Sequence, residues 1–189
     1  MKKILFVTHN SGKLVEIKNF LEPLGFSVEN INLELTEIQA SQEEVARAKA
    51  LEARKTIAGD LVVEDTGFYI DAYNGFPGVL AAPVITQIKP HGLLNLMNGV
   101  TNRKAHFKSI ATYLPANSTE PLLFAGECSG EIGIVETAFR PHLPYDAFFI
   151  PDGETKTLGE MSIEEKNKYS HRVKAFEKLA SYLKNEGKK

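Results

Sequence analysis

Four consecutive apolar residues, Ile4-Leu5-Phe6-Val7, stop at Thr8, and beyond them apolar side chains recur three and four positions apart at Leu14, Ile17, Phe20, Leu21 and Leu24. The first pattern is that of a strand buried on both faces, the second that of an amphipathic helix. The spacing predicts a helix over Lys13 to Leu24, closed by Gly25, and the alternation from Phe26 to Asn32 predicts a second strand. Ser41 with Glu44 three residues on is a capping box. The helix it opens carries Val45, Ala46, Ala48, Lys49, Leu51 and Ala53 and stops by Gly59. Leu61-Val62-Val63 reads as a third buried strand ending at Glu64-Asp65-Thr66-Gly67. Strand, helix, strand, helix, strand in this order predicts an α/β sheet, with ligand-binding loops at the carboxyl ends of the strands.

The second half changes character. A helix is predicted from Pro90 to Met97, followed by three β-rich runs: Phe107 to Leu114, Leu122 to Cys128 and Ser129 to Val135. Turn formers at Pro115-Ala116-Asn117-Ser118 and at Gly130 suggest an antiparallel meander. A final helix is predicted from about Glu164 to Leu183, with Val173, Phe176, Leu179 and Leu183 as its apolar stripe and Lys184 to Lys189 as a solvated tail. With neither an internal repeat nor a low-complexity linker, 1–189 reads as one domain, a β-rich lobe at roughly 105–150 inserted between α/β parts.

Composition narrows the partners. Apolar residues make up 43% and charged residues 24% of the 189, ordinary for a soluble globular chain, and the formal net charge is −2. That charge disfavours a nucleic acid polymer as partner and leaves a small anion open, because a pocket can be locally basic in a near-neutral protein. Cys128 is the single cysteine, which precludes an intramolecular disulfide. No stretch approaches the roughly 20 apolar residues of a membrane span, and four apolar residues after Lys2-Lys3 are too few for a signal peptide. A cytoplasmic location is expected.

The polar residues collect at element ends. Thr8-His9-Asn10-Ser11-Gly12-Lys13 joins a strand to a helix start, where backbone N–H groups, the helix dipole and a lysine suit an anion. It carries neither the P-loop spacing nor Gly-x-Gly-x-x-Gly. Glu64 and Asp65 are adjacent acids at a strand end, so one points into the crevice and the other away from it. Hydrated magnesium takes one or two carboxylates together with phosphate oxygens, and acids here could supply them. Glu37 stands in a loop before a helix. Pro141-His142-Leu143-Pro144-Tyr145-Asp146-Ala147-Phe148-Phe149 sets an aromatic ring beside an acid, a reader of a purine base or a hydrophobic plug. Lys166, Ser170, His171 and Arg172 cluster near the final helix, a donor-rich face suited to a phosphate or a base edge. A serine hydrolase is disfavoured by the lack of a Gly-x-Ser-x-Gly elbow.

Taken in order, Thr8-x-Asn10-x-x-Lys13-x-x-Glu16, Glu37-Ile38-Gln39, Glu64-Asp65-Thr66-Gly67, Gly75-Phe76-Pro77-Gly78, Tyr145-Asp146, Glu165-Lys166-Asn167 and Ser170-His171-Arg172 resemble the inosine triphosphate pyrophosphatase family. Its members are also called non-canonical purine NTP pyrophosphatases or XTP/dITP diphosphatases. The resemblance covers nearly the whole chain. It implies an elongated α/β fold, a mixed sheet with flanking helices in two lobes around a central nucleotide cleft, and a homodimer. It also implies Mg²⁺-dependent hydrolysis of ITP, dITP and XTP to the nucleoside monophosphate and pyrophosphate. Carried over, Thr8, Asn10, Lys13 and Lys49 would bind the triphosphate, Glu37 and Asp65 would hold Mg²⁺ with Glu64 beside them, and Asp65 would polarise the attacking water. Glu64 and Lys13 would share in catalysis and Thr66 in substrate binding. Tyr145 and Asp146 would sit at the base, and Lys166, Ser170, His171 and Arg172 would grip base and phosphates.

One segment departs from the pattern. The family loop reads Gly-Phe-Gly-Tyr/Trp-Asp-Pro, and Leu143 here stands where the family has its base-stacking phenylalanine, with Pro144 and Ala147 replacing a glycine and a proline. Leucine does not stack on a purine as a ring does. Relaxed or different base choice, and a nucleotide-binding regulator without turnover, are the competing readings.

Overall fold

The computed structural model describes residues 2–138 and 140–186. Its strands are β1 (Lys2–Val7), β2 (Phe26–Ile31), β3 (Leu61–Ile70), β4 (Pro77–Gly78), β5 (Lys104–Leu114), β6 (Leu122–Ile132) and β7 (Phe149–Pro151). Its helices are α1 (Ser11–Leu21), α2 (Gln42–Arg54), α3 (Ala81–Leu96), α4 (Ile163–Asn167) and α5 (His171–Glu186). The strands form a mixed sheet in the order β2-β1-β3-β5-β6-β7, with β4 on β3. β1 is parallel to β2 and to β3, whereas β4 on β3 and β7 on β6 are antiparallel. The α/β class with a mixed sheet and flanking helices is therefore as expected.

The chain divides into two compact units: Met1–Asp65, Ser109–Gly126 and His171–Lys189 form the first, Thr66–Lys108 and Glu127–Ser170 the second. In the first unit, alternation along β1 and β3 builds two cores. Ile4, Phe6 and Val62 face α1 and α5, where Ile17, Leu21, Phe176 and Leu179 are buried. Val7, Leu61 and Val63 belong to a second cluster with Ala50 and Ala53 of α2. Phe6 meets Phe176 edge to face with centroids 5.5 Å apart, and burying each such ring stabilises the fold by about 1.5–3 kcal/mol. The second unit has its own core, in which Phe68, Phe107, Tyr145, Phe148 and Phe149 pack with Leu93 and Met97.

Several boundaries differ from the sequence reading. The α1 helix starts at Ser11 because Asn10, not the first apolar residue, caps it, and its last turn tightens to a 3₁₀ segment at Glu22–Leu24 before Gly25 at φ 88°. β3 does not end at Glu64: it continues through the acids to Ile70. The polar pair suggested a turn, but each acid finds buried partners, so the ladder is not interrupted. The helix predicted from Pro90 is present, and an unpredicted helical stretch from Ala81 precedes it: the two make up α3, parted at Lys89 (φ 59°), just ahead of Pro90. Gly130 is not a turn. It lies within β6, where a Cβ would come 2.1 Å from the Ile150 carbonyl oxygen, so the glycine permits close pairing with β7. The final helix is two helices: Ser162 and Glu165 form a capping box for α4, and α5 begins at His171. Of the predicted tail, Lys184 is in α5 with its ammonium 5.8 Å from the Phe26 ring centre, and 187–189 lie outside the described residues. Among the described residues no helix is long and apolar enough to cross a membrane.

Candidate active site

In the first unit, Thr8, Asn10, Lys13, Glu37, Lys49 and Glu64 line one pocket. Its floor is the strand-to-helix junction after β1. The Asn10 side chain accepts from the Lys13 backbone N–H at 3.0 Å, and the Asn10 N–H donates to the Thr8 hydroxyl at 3.1 Å. Thus the cap consumes one of the N–H groups that an anion could otherwise use, and it fixes where Lys13 leaves the helix. His9, exposed beside Thr8, lines the pocket as well, although its position in the sequence gave no sign of it.

β3 delivers Glu64 and Asp65 to opposite faces, as a strand must. Glu64 continues the Val62 face toward α1 and α5. Its Oε2 lies 2.6 Å from the Lys13 ammonium, and its Oε1 accepts from the Arg172 Nε at 3.2 Å and from the Ser109 hydroxyl. Arg172 gives its Nη1 to Glu16, and all of these side chains except Lys13 are buried. Burial alone would raise the Glu64 pKa, yet the charges of Lys13 and Arg172, with hydrogen bonds from Lys13 and Ser109, hold it far below the ordinary carboxylate range. Glu64 is therefore an anion at neutral pH. Glu16, which closes the first sequence motif without an evident role there, is the second acid behind Arg172.

Asp65 continues the Val63 face toward α2. Its Oδ1 accepts from the Lys49 ammonium at 2.6 Å, and the same ammonium donates to Glu37 Oε1 at 2.7 Å. Lys49 is 7% exposed and Asp65 5%, while the Glu37 side chain is half exposed. Burial works to lower the Lys49 pKa, but Asp65 and then Glu37 outweigh it and raise the value, so Lys49 stays a cation. Two further contacts steady this group. Gln42, buried at the start of α2, donates to the Asp65 carbonyl at 3.3 Å. Glu52, a turn beyond Lys49, receives the Thr36 N–H and hydroxyl at 2.8 and 2.9 Å and so anchors the loop that carries Glu37. Gln42 had a legible signal: it shares a helical stripe with Val45, Ala46, Lys49 and Ala53, all buried, where packing alone would place an apolar residue.

Asp65 Oδ2 is buried and accepts no hydrogen bond. A buried carboxylate oxygen left this way is costly unless something binds it. Among the described residues no three Asp, Glu, His or Cys side chains gather into a ready-made cage. Two hard oxygen donors, Glu37 and Asp65, fit a cation such as Mg²⁺ that completes its shell with water and phosphate oxygens.

The second unit holds Thr66, Tyr145, Asp146, Lys166 and Ser170. Asp146 and Lys166, 3% and 1% exposed, form an ion pair between a 3₁₀ turn (Pro144–Ala147) and α4. The Tyr145 ring packs 4.5 Å from that of Phe68, and its hydroxyl donates to the Ala81 carbonyl at 2.8 Å. Burial pushes its phenol well above the ordinary value. Of the two sequence readings of this segment, the ring itself follows the hydrophobic plug. Leu143 is half-buried in the turn before it, and Ser170, fully buried, donates its N–H to the Lys166 carbonyl at 2.9 Å. Thr66 is half-buried in β3. His171 and Arg172 open α5 in the first unit, 2% exposed each.

A family model described as the Ham1 family matches residues 4–182. The chain is 41% identical over 184 residues to the dITP/XTP pyrophosphatase of Methanopyrus kandleri, covering 97% of each, and 39% identical to that of Thermococcus kodakarensis, covering 96% of this chain and 97% of the other. The solved structure of the Staphylococcus aureus Ham1 protein superposes with a TM-score of 0.81 at 27% identity, covering 98% of this chain and all of that one. The Mycobacterium abscessus nucleoside-triphosphatase, a dITP/XTP pyrophosphatase, superposes with a TM-score of 0.67 at 31% identity, covering 94% of this chain and 98% of the other.

Proposed function

The chain belongs to the Ham1 family, and from that premise we propose that it hydrolyses dITP, ITP and XTP between the α- and β-phosphates, releasing the nucleoside monophosphate and pyrophosphate. The observation that carries the reading is the pocket of the first unit, where Lys13 and Lys49 stand with Glu37 and Glu64 at a strand-to-helix junction and Lys49 also holds Asp65. Such a site can hold a polyanion and a divalent cation together.

Thr8, Asn10 and the start of α1 receive phosphate oxygens, and Lys13 supplies a full positive charge from the first helical turn. Lys49 adds a second cation from α2. Glu37 and Asp65 would hold Mg²⁺, which when bound neutralises the charge that builds on the departing pyrophosphate. In this reading Asp65 takes the proton of the attacking water, which is supported by an Oδ2 that accepts no hydrogen bond. Glu64 does not share that task. Its two oxygens are engaged by Lys13, Arg172 and Ser109, so it sets the position of the cations.

For base choice, buried donors aimed at a 6-keto oxygen accept a deaminated purine and leave adenine's amino group facing a donor. In this reading Lys166, Ser170, His171 and Arg172 supply donors, Asp146 orients Lys166, and Tyr145 holds the turn that carries Asp146. The enzyme works as a homodimer in the cytoplasm, clearing deaminated purine nucleotides from the pool.

The test is pyrophosphate release from ITP, XTP, dITP, GTP and ATP side by side, with Mg²⁺ and with EDTA. Metal-dependent turnover of the first three far above GTP and ATP is expected. Equal rates across all five would replace this reading with relaxed base choice, and no release from any would leave a nucleotide-binding protein.

A further inference from the structure

The ammonium of Lys49 holds one oxygen of each acid assigned to the metal, 2.7 Å from Glu37 Oε1 and 2.6 Å from Asp65 Oδ1. No bare divalent ion can approach both oxygens while that ammonium is between them, because like charges repel at such distances and each carboxylate's attraction is already engaged. The residue is also well held. Lys49 lies on the buried stripe of α2, and Asp65 is fixed in β3 with its carbonyl bound by Gln42. One ammonium against two carboxylates leaves a single negative charge, enough to keep the site attractive to a cation that arrives with its own anion.

We propose that Lys49 is a resident counter-cation that bars free divalent metal from Glu37 and Asp65 and yields those oxygens only when a nucleotide triphosphate brings phosphate oxygens for its ammonium. Metal and nucleotide then enter together. Lys49 exchanges two carboxylates for phosphate in one swing of a flexible side chain, and neither acid, the buried Asp65 above all, is left without a positive neighbour. The same exchange explains how one lysine serves both a resting protein and a loaded one. It also keeps the empty enzyme from storing metal in a half-built site.

This inference rests on the reading of Glu37 and Asp65 as metal ligands, and the experiment separates the two. Metal-free protein is titrated with Mn²⁺ without nucleotide, following loss of the free-ion electron paramagnetic resonance signal, for wild type, Lys49→Met and Lys49→Met with Asp65→Asn. The Met variant is expected to bind one Mn²⁺ at least about tenfold tighter than wild type, and the added Asn to abolish the gain. Mn²⁺ should also raise the unfolding temperature of the Met variant by about 5 °C and leave wild type unmoved. Lys49→Gln, which keeps one hydrogen bond, replaces the Met variant if the latter does not fold. Equal Mn²⁺ affinity in wild type and variant overturns the proposal. Wild type is titrated once more with an α,β-imido analogue of ITP present, against Asp65→Asn. If wild type and the Met variant bind Mn²⁺ equally but Asp65→Asn weakens metal binding there, the ligand reading stands while the counter-cation proposal falls. If the Asn change has no effect in either titration, the ligand reading falls and takes the proposal with it.

Discussion

Lys13 and Glu64 meet at 2.6 Å with the acid wholly buried and the lysine side chain a fifth exposed. The pair links the first turn of α1 to the middle of β3, and through Glu64 it reaches Arg172 on α5 and Ser109 on β5. A pocket lysine is thereby held by an anion that solvent does not reach. The arrangement fixes the cation before any phosphate arrives, which is what a preorganised site requires.

Replacing Glu64 by Gln is expected to cost about 3–5 kcal/mol of stability, because Lys13 and the buried Arg172 lose a shared counter-charge. The Glu64 pKa is depressed in the fold from its usual 4.5. Its contribution is therefore fully present above that value and disappears as pH falls toward the lower, folded value. Denaturant unfolding measured from pH 7 down to pH 3 should show wild type losing stability below about pH 4.5 and the Gln variant losing less. Parallel curves would remove Glu64 as a source of the acid sensitivity.

Asp65→Asn should lower turnover about 10²- to 10⁴-fold, the range for loss of a positioned general base. Lys49 keeps Glu37 as a partner, so the fold is expected to survive. Pyrophosphate release and the far-ultraviolet circular dichroism spectrum, taken on one preparation, check both halves. Turnover near that of wild type would take the water-activating role from Asp65.

Gly126 in β6 lies under the start of α5: a Cβ there would come 2.2 Å from the His171 carbonyl oxygen and 2.5 Å from the Ala175 nitrogen. Both atoms are backbone, so the helix must shift. Gly126→Ala is expected to destabilise by about 1–3 kcal/mol and to raise KM for ITP, since the displaced turn carries His171 and Arg172. Calorimetric unfolding and a KM against kcat comparison read the two effects. An unchanged melting temperature would mean the helix start is softer than its packing indicates.

The two residues flanking Pro144 separate packing from base recognition. Tyr145→Phe loses the hydrogen bond to Ala81 and should cost about 0.5–1.5 kcal/mol in chemical unfolding. Leu143→Phe should lower KM for ITP about tenfold, the worth of stacking one base on a ring. If KM does not move, base recognition does not use this turn.

Much of the fold was legible because its signals are local. The capping box at Ser41, the buried run Ile4–Val7 and the close of the first helix at Gly25 each follow from a few neighbouring residues, and each stands where it was expected. The boundaries that moved were decided by distant partners. Glu64-Asp65 resembles a turn in isolation, yet β3 runs through it because Lys13, Arg172, Ser109 and Lys49 lie across from it. Gly130 resembles a turn as well, and only the nearby Ile150 carbonyl shows that its missing side chain makes room for β7.

The sequence by itself determined the α/β class, the family and the set of chemical groups available, since these depend on periodicity and on residue types at fixed spacings. Only the tertiary structure decided how those groups divide their work. Glu64 and Asp65 are chemically alike and adjacent in sequence. Alternation along β3 turns one toward α1 and α5, where two cations hold it as a structural anion, and the other toward α2, where one lysine leaves an oxygen without a hydrogen bond. Which cation meets which acid depends on how helices far apart in the chain pack against a sheet, and burial then makes each pairing strong enough to matter.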